Sequence, residues 1–398
     1  MSKIYLIPET SDIIEELGKL ILNENFDEIL IVFPGERPAS YLYNYLGEKI
    51  KSSFFPPKTL SMNRFIDYIL SKSEFSKYTE MSEIDALYYL YKIYKNYKNF
   101  DEFEKFIPYG KRVLKFIDEL DYEFDEDIDL EKFQSIKDEI IKEDIENIMK
   151  IRREFHEKLK KDKKFVEGFY GFKYFIADKI IEENFEILND YKKIYFVGIY
   201  GITNIERKII KKIIEGKTTI LLWQSVNDEE FLKKQKFNIE IEKIYNDEKK
   251  KQNIEIFSSQ NSLIQFIKVR EILENLKSKN NLKNTCVVLP ENKSLIPFLS
   301  CIDPESITHD YNIGLKFDIK NTVHYSFVES LIECILSVKT ADKKIFLNSK
   351  KYLNLIKNPL ANIKNFSLDS PFVDIKELME VEISNSEETE KIKRINNA

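Results

Sequence analysis

The chain has 398 residues, of which 43% are hydrophobic and 33% are charged, as in an ordinary globular protein of two or three domains. Its 62 lysines and arginines are outnumbered by 68 aspartates and glutamates, so the net charge of −6 excludes a chain-wide basic field and confines any DNA site to a local patch. Glycine (10) and proline (11) are scarce, which disfavours enzymes that depend on glycine-rich phosphate loops.

The sequence also has no feature of a membrane or secreted protein. No window approaches the roughly 18 apolar residues of a spanning helix, and residues 1–12 contain no apolar signal region. The three cysteines have no CxxC spacing, so we expect neither a disulfide framework nor a zinc site. These observations predict a cytoplasmic protein without a membrane partner.

The first third of the chain alternates strand and helix patterns. Residues 3–7 and 28–33 are apolar runs typical of buried strands, and helices are expected over residues 11–22 and from Pro38 to about residue 50. Residues 62–70 predict a further short helix, with its apolar positions facing inward.

Helical periodicity dominates from residue 82 to about residue 189. Ser82 and Asp85 form a capping-box pattern at its start, and a later apolar face contains Val113, Phe116, Ile117 and Leu120. Nine acidic residues fall between Asp118 and Glu131, and the apolar residues among them indicate a solvated face beside a core in preference to a metal site.

Sheet patterns return at residue 193. A strand at 193–197, a helix at 203–214 and a strand at 218–223 form a βαβ unit, and the charged segment 227–252 is expected to be a connector. Strands at 254–257 and 285–289 with a helix at 262–278 then predict a second α/β segment. Helices are expected at 295–302 and 325–338, and the tail beyond residue 367 is expected to be frayed.

No active-site motif is found. Gly216-Lys217-Thr218 resembles the end of a phosphate loop, but Lys211 stands where that loop needs its first glycine, and the local order is helix then strand. Gly216 is therefore interpreted as a helix C-cap. His156, His309 and His324 are too far apart for a local metal motif, and there is no GxSxG elbow. We expect no cofactor and no metal.

Several segments together resemble the N-terminal, helicase-like half of AddB-type proteins. The stretches that carry the resemblance are ILIVFPGERPASYLYNYL at 29–46, KRVLKFIDELDYEFDEDIDLEKF at 111–133, KIYFVGIYGITNIERKIIKKI at 193–213 and TCVVLPENKSLIPFLSCI at 285–302, continued by 311–331. Each stretch alone is weakly specific, and the resemblance rests on the order and spacing of the stretches.

The resemblance implies an α/β fold of two RecA-like domains that derive from an inactivated helicase. The first would cover residues 1–226 with a large helical insertion at about 71–190, the connector would be 227–252, and the second, partial domain would be 253–398. Val197-Gly198 would occupy the end of the Walker B strand, where active helicases place acidic residues, so the nucleotide site is expected to be dead. The PD-(D/E)XK nuclease half of such proteins would begin beyond Ala398.

The function that the resemblance implies is a non-catalytic scaffold in a helicase–nuclease that repairs DNA double-strand breaks. Its partners would be an AddA-like subunit, which supplies ATP hydrolysis, and DNA, bound weakly through the backbone. Arg37, Ser61 and Arg64 are the candidate DNA contacts because they lie in or near loops after the early strands. Two alternatives stay open: a protein-interaction scaffold without DNA contact, and a Rossmann-like transferase of a small ligand.

Overall fold

The computed structural model describes residues 2–97, 102–124, 139–225, 229–235, 237–244, 253–282, 285–308, 311–315, 318–341, 344–361, 380–383 and 393–394. The chain divides into two compact units, Met1–Gln252 and Asn253–Ala398. None of the described helices is long and apolar enough to cross a membrane.

The strands of the first unit are β1 (Lys3–Leu6), β2 (Ile29–Phe33), β3 (Lys58–Ser61), β4 (Thr79–Met81), β5 (Lys164–Val166), β6 (Lys193–Val197), β7 (Thr218–Trp223) and β8 (Glu240–Lys243). Six of them form a parallel sheet in the order β3-β2-β6-β7-β1-β8, and β4 and β5 form a separate parallel pair. All five residues of β2 are buried, as expected for a central strand covered on both faces.

Helices cover both faces of this sheet. They are α1 (Ile13–Ile21), α2 (Arg37–Ile50), α3 (Met62–Ser71), α4 (Glu83–Tyr94), α5 (Phe103–Glu123), α6 (Glu139–Asp162), α7 (Gly171–Glu183), α8 (Asn204–Gly216) and α9 (Glu229–Lys234). On one face, α1 and α2 bury Leu17 and Leu42 against Ile31 of β2. On the other, α3 to α8 pack around Val32 and Phe196. The alternation of side chains along each strand produces these two cores.

The second unit combines helices with an antiparallel sheet. Its helices are α10 (Ser262–Ser278), α11 (Leu295–Ile302), α12 (Pro304–Ile307), α13 (Val323–Leu336) and α14 (Ser349–Ile356), and its strands are β9 (Lys339–Ala341), β10 (Lys344–Asn348), β11 (Glu380–Ile383) and β12 (Lys393–Arg394), in the order β12-β11-β10-β9. A small apolar cluster joins α10, α11 and α12 through Phe266, Phe298, Ile302 and Ile307.

The prediction of an α/β chain is confirmed, and its central sheet is parallel. The predicted strands of the first unit, β1, β2, β6 and β7, lie close to their predicted places, whereas β3, β4 and β5 were not predicted. The strands predicted at 254–257 and 285–289 are wrong. Both segments are described without ladder partners, and Ile254, Ile256 and Val288 are 77%, 90% and 83% exposed. An apolar run becomes a strand only where a neighbour completes its hydrogen bonds, and the sequence pattern does not contain that neighbour.

Two further segments differ from expectation. In its described part, the charged segment 227–252 contributes α9 and the edge strand β8, which pairs with β1. Beyond residue 367, the described residues form strands β11 and β12, and the rest of the tail predicted to be frayed lies outside the described residues. The acidic stretch after Phe124, up to residue 131, lies outside the described residues, as does His309.

Candidate functional site

The candidate site lies between two neighbouring parallel strands whose following helices pack on opposite faces of the sheet. β2 continues into α2 on the face that also carries α1, whereas β6 continues into α8 on the opposite face. Ligands of open α/β sheets bind outside the carboxyl ends of the strands at such a switch point, because the two departing loops leave a gap between them. A ligand site of this sheet is therefore expected between β2 and β6.

A crevice of about 440 Å³ opens at this point, and we call it the carboxyl-edge crevice. Its lining residues come from the loops after β2 and β6 and from α3, α5, α7 and α8: Pro34, Met62, Asn63, Tyr122, Tyr174, Gly198, Ile199, Tyr200, Gly201 and Glu206. Gly198 has a φ of +69°, in the left-handed region that favours glycine, and its N–H donates to the Leu222 carbonyl at 3.0 Å. That turn directs the chain after β6 along the crevice.

Hydrogen bonds fix the polar groups of the carboxyl-edge crevice. The Tyr174 hydroxyl donates to Asn63 Oδ1 at 3.0 Å. Glu206 Oε2 accepts from the backbone N–H and from the hydroxyl of Thr203, each at 2.9 Å, in a capping box that begins α8. Tyr200 donates to Gln224 Oε1 at 3.1 Å. The carboxylate and the phenol rings are therefore held in place before any ligand arrives.

The local electrostatic field is negative. Burial raises the pKa of Tyr174, and the charge of Glu206 raises it further. Burial also raises the pKa of Tyr122, with Asp118 and Glu206 as additional causes. Among the described residues that line the crevice, none is a lysine, arginine or histidine. The crevice therefore disfavours phosphates and other anions.

The three residues predicted from sequence lie at the carboxyl ends of β2 and β3. Arg37 is the first residue of α2, is exposed, and makes no ion pair with another described residue. Arg64 is also exposed, and its Nε lies 2.5 Å from Glu36 Oε1. Ser61 is 9% exposed, and its hydroxyl caps α3 by accepting from the Arg64 N–H at 3.4 Å. The structure thus gives Ser61 a capping role, and DNA contact by all three residues stays a prediction.

Sequence reasoning missed the residues that form the crevice itself. Tyr122 and Tyr174 lie on separate helices, and their rings, tilted to each other, come within 5.2 Å only through the packing of α5 on α7. One signal was readable: threonine at 203 with glutamate at 206 is a capping-box pattern directly after a strand and its turn.

The N-terminus of α1, the helix that follows β1, is capped by the protein's own Asp12. In a phosphate loop, the first strand leads into a helix whose N-terminal N–H groups bind the phosphate. Here the Asp12 carboxylate accepts from those groups at the start of α1, at 2.8 Å from the Ile14 nitrogen and 3.3 Å from the Glu15 nitrogen. A nucleotide phosphate at this place would meet a carboxylate.

A second ionisable cluster lies in the helical layer. Arg152 Nε donates to Asp121 Oδ1 at 2.6 Å, and His156 Nε2 lies 3.0 Å from Asp121 Oδ2. All three side chains are buried, and the His156 ring centroid lies 4.5 Å from that of Phe172. The adjoining cavity of about 20 Å³ is too small for an organic ligand, so the cluster is structural. Within the described residues, no group of three metal-ligating side chains is present.

Comparisons with known proteins add no family assignment. No protein-family model matches the chain, and no curated protein matches it either.

Proposed function

We propose that this chain is a non-catalytic, helicase-like scaffold of an AddB-type assembly, and that it contacts the DNA backbone weakly. The first unit would be a RecA-like domain that has lost its nucleotide site. An AddA-like partner subunit would supply ATP hydrolysis, which this chain would not perform.

The observation that carries this proposal is the occupied N-terminus of α1. Asp12 takes the hydrogen bonds that a phosphate would need, and the end of β6 offers Val197 and Gly198 in place of acidic residues. Gln224 Nε2 also donates to the Ser11 carbonyl at 2.6 Å, which ties the end of β7 to this loop. These three features support a RecA-like domain that no longer binds or hydrolyses a nucleotide and that serves as a binding surface.

Arg37 and Arg64 support the DNA contact. Both are exposed at the carboxyl edge of the sheet, where loops after parallel strands are free to meet a ligand. The pairing of Arg64 with Glu36 is an exposed ion pair, which is worth at most about 1 kcal/mol, so a phosphate can compete for this arginine. The contact is expected to be weak because few cations take part.

The DNA contact is tested by fluorescence anisotropy with single-stranded and forked oligonucleotides between about 50 and 200 mM salt. Binding should fall steeply over this range, and Arg37→Ala should weaken it equally for all sequences and lower the salt slope by about one. Lys49→Ala is the matched control, because Lys49 is a cation at the opposite end of α2. Absence of binding at 50 mM salt, or equal effects of the two substitutions, would contradict the proposed contact.

The loss of catalysis is tested separately. Calorimetric titration with Mg-ATP should detect no binding, and labelled single and double strands should stay intact with Mg²⁺ or Mn²⁺. Micromolar ATP binding with DNA-stimulated turnover would refute the non-catalytic part of the proposal. Cleavage that disappears when one acidic residue of this chain is replaced would refute it as well.

A scaffold that binds only proteins is the second candidate function. The net charge of −6 and the acidic carboxyl-edge crevice favour it, because both repel a polyanion. Anisotropy distinguishes the two candidates, since a protein-only scaffold would show no salt-dependent binding of DNA. The transferase alternative has no structural observation in its favour and stays untested.

A further inference from the structure

We propose that the carboxyl-edge crevice binds an alkylammonium group, with the ammonium beside Glu206 and the tyrosine rings and its methylene stem on the apolar wall. This goes beyond the proposed scaffold function. The ligand is either a free polyamine or the lysine side chain of a protein partner, and the two share this chemistry.

The aromatic side chains are the first observation. The rings of Tyr122 and Tyr174 pack against each other, with their centroids 5.2 Å apart and an interplanar angle of 54°, and both residues line the crevice, where Tyr174 is 2% exposed. Tyr200 is 48% exposed and lines the same crevice. The face of an aromatic ring attracts a cation within about 6 Å, and several rings around one space strengthen that attraction.

The carboxylate is the second observation. Both capping hydrogen bonds of Glu206 use Oε2, which leaves Oε1 as an acceptor for a ligand. The Tyr174 hydroxyl donates to Asn63 Oδ1 and also lies within interaction range of the Glu206 carboxylate, so this ring and this carboxylate adjoin in the crevice. A charge-assisted hydrogen bond from an ammonium N–H to Glu206 would be roughly twice as strong as a neutral one.

The shape and the rest of the lining indicate an organic cation. A divalent metal such as Mg²⁺ or Ca²⁺ takes about six or more oxygen ligands, whereas the described lining offers one carboxylate. Met62 and Ile199 provide an apolar wall suited to a chain of methylene groups. A volume of about 440 Å³ accommodates such a chain together with its ammonium head.

The proposal is tested by calorimetric titration of the full chain with putrescine, with spermidine and with an end-blocked Gly-Lys-Gly peptide. The neutral controls are 1,4-butanediol and the same peptide with an acetylated lysine. We expect the amines to bind and both neutral controls to bind at least about tenfold more weakly, because the charge-assisted bond is lost. Tighter binding of a polyamine identifies a free polyamine as the ligand, and tighter binding of the peptide identifies a protein lysine.

Variants locate the binding in the crevice. Glu206→Gln should weaken amine binding about tenfold or more, while glutamine still completes the capping box. Glu215→Gln, at the other end of α8, is the matched control and should change nothing. Tyr200→Ala should weaken binding about threefold and Tyr200→Phe should not, because phenylalanine keeps the ring face. Equal binding of putrescine and 1,4-butanediol, or Glu206→Gln without effect, would overturn the proposal, and neither result bears on DNA binding.

Discussion

At the scale of single residues, the space around two glycines predicts opposite effects on stability when each is replaced by alanine. A Cβ on Gly171 would stand 2.4 Å from the Asp118 carbonyl oxygen and 2.7 Å from Asp121 Cβ, where α7 meets α5. Backbone cannot yield as a flexible side chain can, so Gly171→Ala should destabilise the protein by about 1–3 kcal/mol. A Cβ on Gly47, inside α2, meets nothing within 4 Å.

Gly47→Ala is the matched control for this prediction. Alanine has the better helix propensity, so this variant should be more stable than the parent chain by up to about 1 kcal/mol. Urea unfolding of both variants measures the two changes. A Gly171→Ala chain as stable as the parent would show that the approach of α7 to α5 is looser than the structure has it.

Residue-scale sequence reasoning succeeded where the cause was local. Ser82 was predicted to begin a helix by a capping pattern, and its hydroxyl accepts from the Asp85 N–H at 3.2 Å. The spacing of the histidines excludes a local metal motif at His156, but it does not show the actual partner of this side chain. That partner is Asp121, which lies 35 residues away on another helix. A contact of that kind depends on how helices pack, and no spacing in the sequence records it.

At the scale of elements, the periodic patterns predicted four of the six strands of the central sheet, β1, β2, β6 and β7, but not the face of each helix in full. Val113, Ile117 and Leu120 of α5 are buried as expected, whereas Phe116 is 38% exposed. A helix has a continuous circumference, so a position at the border of its apolar face is decided by the neighbouring helix. The carboxyl-edge crevice was missed for the same reason, because it exists only between elements.

The contact between α5 and α7 also predicts that the stability of the protein depends on pH. Burial raises the pKa of Asp118 from its ordinary 3.8 to about 6, against the opposing effect of the Gly171 N–H, which donates to Asp118 Oδ1 at 2.7 Å. The folded chain therefore holds this proton more tightly than the unfolded chain does. The stability that the protonated carboxyl contributes is present in full below about pH 4 and is lost as the pH rises through about 6.

Asp118→Asn should remove this dependence. Asparagine has no titrating proton, and its side-chain oxygen can still accept from the Gly171 N–H. The variant should gain stability relative to the parent chain as the pH rises from about 4.5 to 6.5, as measured by urea unfolding across that range. Glu104→Gln, at an exposed position near the start of α5, should show no such trend. A difference that is the same at every pH would mean that Asp118 titrates normally.

At the scale of the whole molecule, the two units differ in how much apolar surface they bury. The first unit has an extensive core on each face of its sheet. In the described part of the second unit, the apolar cluster has four buried members, and many large apolar residues are exposed, Ile256 and Leu336 among them. Since burial of apolar surface is the main stabilising contribution to folding, the second unit should be the less stable.

This difference can be measured in the intact chain because its one tryptophan, Trp223, lies in β7 of the first unit. Trp223 is buried there, so its fluorescence follows the unfolding of the first unit, whereas far-ultraviolet circular dichroism follows the helices of both units. We expect the dichroism signal to begin to fall at a lower urea concentration than the fluorescence changes, because the second unit unfolds first. Coincident transitions would indicate a single cooperative unit and contradict unequal stability. A fragment of residues 1–252 provides the control: its two signals should change together, at the urea concentration where Trp223 responds in the full chain.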